Sequence, residues 1–201
     1  MRTNSTFTNE LMTITSKEYP LFAKYCYYLN EGLRKEGLKS LYEFLKTTLY
    51  WNYLTKVAFC KILFCTPSKT NNDINQILTN QLNDKLIKPT LLEMTIQEPD
   101  NYLPFKWYGE YFQEMSYLKK AYKLAPFDNS LKLALLSELE HDIWLSTHHL
   151  PEQYTGNIDD DESNLNLAFS ILESLNPTLS KNYSERFNEY RNMISAYKAQ
   201  G

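Results

Sequence analysis

Residues 130–150 read SLKLALLSELEHDIWLSTHHL, with Asp128 and Asn129 in front and Pro151 behind. Leu131, Leu133, Leu135, Leu136, Leu139, Ile143, Trp144 and Leu145 fall on almost every side of a helix built on this segment. A helix that is apolar all round is usually central in a bundle. Asp or Asn at its start supplies an N-cap, and the proline stops it. The segment predicts a central helix on which others pack.

The flanking sequence keeps the same rhythm, and β-alternation is scarce. Pro20 suits a first helical turn, and Leu21, Tyr25, Tyr28, Leu29 and Leu33 recur at helix spacing until Gly37. Leu38, Leu41, Tyr42, Leu45 and Leu49, then Trp51, Leu54, Val57, Ala58 and Ile62, read as one long helix or two in series before Pro67. Ile74, Ile77, Leu78 and Leu82 suggest another helix, and Leu91–Gln97 a short one. Further on, 105–114 and 117–125 form two short helices joined around Ser116, and 152–162 is an acidic loop. Segments 163–175 and 180–199 close the chain as two helices separated by Asn176-Pro177. The expected fold is all-α, a helical bundle or a short stack of helical hairpins, with about eight or nine helices. Residues 1–15, polar and rich in Asn and Thr, are expected to be a flexible tail. Residues 16–201 form a single domain, in which the turn-forming cluster Thr66–Asp73 (TPSKTNND) separates possible subdomains 16–65 and 72–201.

Composition narrows the function. The chain has 201 residues, 43% apolar and 22% charged, a normal globular balance with enough length for a real core. A net charge of −3 and no dense basic stripe argue against a nucleic-acid partner. Five glycines leave little material for phosphate-cradling loops. The most apolar window, Tyr53–Cys65, is interrupted by Lys56 and Lys61 and falls short of the roughly 20 residues of a membrane span. The opening residues lack a signal peptide's apolar core, so no membrane partner and a cytoplasmic location are expected. Cys26, Cys60 and Cys65 fit no metal-knuckle or C-x-x-C spacing and read as buried small hydrophobes in a reducing compartment.

Three helix ends share a pattern. Leu91 and Met94 precede Pro99, Leu118 and Ala121 precede Pro126, and Phe169 and Leu172 precede Pro177, in each case by eight and five positions. Asp100-Asn101 and Asp128-Asn129 then stand ready to start the next helix. With Trp107, Gly109 and Tyr111 in the preceding helix, residues 117–128 (YLKKAYKLAPFD) resemble the second half of a tetratricopeptide repeat. Pro99 to Pro126 spans 27 residues, shorter than that family's period of about 34. The resemblance implies a scaffold that binds a partner rather than a chemistry.

Two functional readings come from the residues. His141, His148 and His149 are the chain's three histidines, and Glu138, His141 and Asp142 share one helical face. Two carboxylates and an imidazole suit a divalent metal, and hence a metal-dependent helical enzyme. The roughly 10–12 Å of helix between His141 and the His pair argues against one mononuclear site using all three. His148 and His149, ahead of Pro151, also suit the cation-favouring end of a helix. The leading reading is instead non-catalytic. Between Asp128 and Glu162 nine acids face Lys132 alone, sharpest at Asp159-Asp160-Asp161-Glu162. A groove beside Trp107 and Tyr111, rimmed by Glu138, Asp142 and Asp159–Glu162, would bind a basic protein, as an immunity or antitoxin-type protein masks a toxin. No nucleophile, nucleotide or dinucleotide motif is present, and no cofactor is expected.

Overall fold

Side chains placed just ahead of the helices decide where half of the ten begin. Asn52 accepts from the Thr55 N–H (2.9 Å), Asn101 from Leu103 (3.1 Å), Asn157 from Asp159 (2.9 Å) and Asn176 from Thr178 (2.9 Å). Asp128 accepts from both Ser130 and Leu131. Each satisfies donors that a helix start leaves without partners. The computed structural model describes residues 6–66, 74–75 and 77–199. Among them are ten helices of ten residues or more and no strand: α1 (Thr6–Thr15), α2 (Pro20–Asn30), α3 (Arg34–Thr48), α4 (Tyr53–Cys65), α5 (Lys88–Gln97), α6 (Tyr102–Phe112), α7 (Met115–Leu124), α8 (Asn129–Thr147), α9 (Ile158–Glu173) and α10 (Pro177–Lys198). A short turn, Asn80–Leu82, and a π-helical turn, Asn83–Ile87, lead into α5. The all-α class holds, with slightly more helices than expected.

The differences are local. Residues 6–15 are helical where a flexible tail was expected, because Phe7, Thr8, Leu11 and Thr15 supply one buried face that packs on α2. Residues 1–5 of that tail lie outside the described residues. The first α2 boundary falls at Gly32, not Gly37. Gly32 takes φ +72°, and the Leu33 N–H reaches back to the Tyr28 carbonyl (2.8 Å), a left-handed helix end that favours glycine. Gly37 lies buried inside α3. Residues 38–65 are two helices, divided at 49–52 by the Asn52 cap. The break between α6 and α7 sits at Gln113 (φ +55°) rather than Ser116. Asp159, Asp160 and Asp161 belong to the first turn of α9, with Glu162 next in the helix, rather than to a loop.

The chain divides into two compact units, Met1–Pro99 and Asp100–Gly201, not at the Thr66–Asp73 cluster. Of that cluster, 67–73 lie outside the described residues. Helix α5 packs on α4, which keeps residues up to 99 with the first unit. The first unit is built on an aromatic centre. Phe22 meets Phe59 edge-on at 4.9 Å and Phe44 at 5.2 Å, and Tyr19 and Trp51 close on Phe59 at 5.2 and 5.7 Å. Cys26 and Cys60 are buried beside it, as expected, and burial pushes both thiols up to about 12. Cys65 is exposed, at the end of α4.

In the second unit α8 is the centre. Leu131, Leu135, Leu136, Leu139 and Ile143 are fully buried against α7, α9 and α10, whose contributions include Leu118, Ile171 and Phe187. Helix α6 is tied to its start by Lys106, which donates to Asp128 (2.8 Å) and Ser130. Burial pushes the Asp128 carboxyl up. The Lys106 bond, the Leu131 N–H and the Ser130 hydroxyl outweigh it and hold the group at about 2. One turn along α6, burial pushes Glu110 up to about 7, with the Asp128 carboxylate adding to the effect and Lys106 opposing it.

A raised carboxyl costs no stability below its unfolded value near 4.5, and the cost grows as pH climbs from there through about 7. Glu110→Gln is therefore expected to stabilise the second unit at about pH 8.5, by up to about 3 kcal/mol, and to change little near pH 4.5. Thermal midpoints of wild type and variant at the two pH values check this. An equal difference at both would contradict it.

Candidate functional site

Helix α8 changes character in its last turns. Trp144 is 46% exposed and Leu145 44%, although the sequence reading assigned both to an all-round core helix. At about 100° per residue, Trp144, Leu145, His141 and His148 lie away from the row Leu131, Leu135, Leu139 and Ile143. They form an outward face. Its rings are ordered as a ladder: His141 and Trp144 are near parallel at 6.1 Å, Trp144 and His148 at 4.6 Å, and His148 meets His149 at 3.9 Å.

Backbone and loop hold that ladder in place. His148 is the C-cap, and its Nδ1 lies 2.9 Å from the Leu145 carbonyl and 3.2 Å from that of Trp144. With the proton on Nδ1 the ring donates to carbonyls of the last helical turn, where that of Trp144 also accepts the His148 N–H. The chain then turns back. The Thr155 hydroxyl donates to the Leu145 carbonyl (2.7 Å) and the Thr155 N–H to that of Ser146 (3.1 Å). Gly156 presses so closely on Ser146 that a Cβ there would lie 2.0 Å from its Oγ. Beside this turn, Leu150, Pro151, Met193, Ala196 and Tyr197 line an apolar cavity of about 220 Å³.

The acidic residues are not one patch. Glu138 is half-buried on α8; burial raises its carboxyl above the ordinary carboxylate range, the Asp142 charge adds to this and His141 opposes it. In the α9 turn, Asp159 and Asp160 are exposed, but Asp161 is buried and accepts from the Tyr154 hydroxyl (2.5 Å). Glu162 pairs with Lys198 (2.7 Å). Glu140 pairs with Arg186, and Asp128 is taken by Lys106. Exposed charge from the expected run thus reduces to Glu152, Asp159 and Asp160, with Glu138 and Asp142 half-buried on α8.

The two aromatic residues expected to wall a groove lie on α6. Trp107 is buried (4% exposed) and Tyr111 is half-buried, its hydroxyl raised by burial and by the Glu110 charge. Trp107 therefore serves packing and offers no open wall. Among the described residues, no three His, Cys, Asp or Glu side chains converge as a metal site, so Glu138, His141 and Asp142 do not form a ligand cluster. Adjacent turns put the three residues on one side of α8, while closure around an ion needs donors from a second element.

Trp144 and Leu145 are the residues that sequence reasoning missed. The signal was the four-residue row Leu131–Leu135–Leu139–Ile143, which continues through the buried Thr147 and leaves Trp144 and Leu145 off it. Among the described residues, no helix is long and apolar enough to cross a membrane. No protein-family model matches this chain, and no curated protein or solved structure matches it.

Proposed function

We propose that this chain is a non-catalytic protein-interaction module of the cytoplasm whose recognition face is the outer side of α8, extended by Asp159 and Asp160 at the start of α9. A basic protein is the partner that suits it, and an immunity or antitoxin-type role is its most concrete form. The observation that carries the reading is the exposed ring ladder centred on Trp144, together with the exposed acids Asp159 and Asp160 at the start of α9. A tryptophan left half in water forgoes burial energy within the fold, whereas tryptophan and arginine dominate binding energy at interfaces. A partner guanidinium laid on the Trp144 ring gains cation–π attraction, and the exposed carboxylates of Asp159 and Asp160 favour a basic partner by charge. The acids favour fast encounter with a positive surface.

The test is capture from the producing cells on immobilised full-length protein, in parallel with Trp144→Ala. The expected result is a protein with a basic surface retained by wild type, eluted by salt, and held at least tenfold more weakly by the variant. Equal retention by both proteins, or an acidic partner, would contradict the reading.

A further inference from the structure

A second outward face, of opposite charge, lies on the first unit. Helix α3 buries Leu41, Phe44 and Leu45 in the core, yet its other side carries Lys35, Leu38, Lys39, Tyr42 and Lys46, all exposed, and Leu49 follows at its end. Leu38 is 41% exposed, Tyr42 50% and Leu49 79%. These three are spaced as i, i+4 and i+11, on one side of the helix over about 16 Å at 1.5 Å per residue. Apolar groups repeated along one face in this way exceed the scattered single hydrophobes of an ordinary surface.

The stripe borders a real groove. Between α3 and the turn leading into α5, Lys35, Leu38, Lys39, Tyr42, Glu43 and Gln81 line a hollow of about 580 Å³. Charge within α3 favours the positive sign: Arg34, Lys35, Lys39 and Lys46 against Glu36 and Glu43. Glu43 is occupied by Lys46 (2.9 Å), whose ammonium also sits 4.5 Å over the Tyr42 ring. That leaves Arg34, Lys35 and Lys39 beside the apolar stripe, against Glu36.

We propose that this groove binds an acidic amphipathic helix of another protein, its apolar residues on Leu38, Tyr42 and Leu49 and its carboxylates facing Lys35 and Lys39. The length and spacing of the stripe match the anchors of a helix laid in a groove. Complementary charge fixes the sign of the partner. A bilayer or a nucleic-acid backbone fits less well. Both present an unbroken field of phosphates with no side chains to seat on Leu38 and Tyr42, and neither fills a concave hollow.

The test uses the full chain and a fluorescein-labelled synthetic helix of about 18 residues, with Leu on one face and Glu on the flanks, read by anisotropy. Its controls are a scrambled peptide of the same composition, equimolar phosphatidylserine–phosphatidylcholine vesicles and a single-stranded oligonucleotide. The expected result is saturable, salt-weakened binding of the amphipathic peptide. It should fall about tenfold or more in Leu38→Ala/Tyr42→Ala and in Lys35→Glu/Lys39→Glu. These sites are exposed, so unchanged circular dichroism should accompany the loss. Trp144→Ala should leave peptide binding unchanged, which separates this surface from the α8 face. Lack of saturable binding, equal binding of the scrambled peptide, unaffected variants, or preference for the vesicles or oligonucleotide would overturn the proposal.

Discussion

Phe22→Ala is expected to remove about 4 kcal/mol from the stability of the first unit. Phe22 is fully buried and is the ring through which Tyr25, Phe44 and Phe59 meet, at 5.8, 5.2 and 4.9 Å. Its loss removes the transfer energy of one aromatic side chain and the edge-to-face contact with Phe59, and leaves a cavity among rings that cannot all move inward. A domain of about 100 residues holds only about 5–15 kcal/mol, so the change takes a large share. Urea unfolding followed by hydrogen exchange checks it, with lost protection expected in 6–66 and 77–99. A loss under about 1 kcal/mol would mean the aromatic centre does not hold this unit together.

Gly109→Ala is expected to destabilise the second unit by about 2 kcal/mol, against the usual effect of the same change in a helix. Alanine in a helix interior normally gains about 1 kcal/mol over glycine. Here a Cβ would lie 2.6 Å from Leu118 Cγ and 2.9 Å from the Leu118 backbone nitrogen. Leu118 is wholly buried and cannot swing aside, and the backbone contact can be relieved only by parting α6 from α7. The thermal midpoint should fall by several degrees, as expected for a domain of this size. A rise would show that the two helices have room to spare.

The helical class was legible because the apolar residues recur at a helix period, and the caps at Asn101 and Asp128 stand where the residues ahead of the helices indicated. What stayed hidden depends on contacts far apart in the chain. Helix α1 interleaves Phe7, Leu11 and Ile14 with Thr and Asn, a helix spacing masked by the polar composition of residues 1–15, and its stability comes from packing on α2. The unit boundary at 99 follows from α5 returning to α4, while the turn-rich 66–73 stretch shows only that the chain bends there. Charge was overcounted for the same reason. The turn at Gly156 brings Tyr154 onto the buried Asp161, and α10 brings Lys198 to Glu162 at the surface, so half of a four-acid run is paired within the chain. At α8, counting apolar residues hid the exposed pair Trp144 and Leu145, which the buried row alone would have set apart.

The most direct measurement is the affinity of the purified basic partner for the full chain and for a variant carrying Trp144→Ala, Asp159→Asn and Asp160→Asn. All three side chains are exposed, so the thermal midpoint should hold within a few degrees of wild type. The account predicts about a hundredfold or greater loss of affinity and a weaker salt dependence. Undiminished affinity in the folded variant would show that the outer face of α8 is not where this protein is bound.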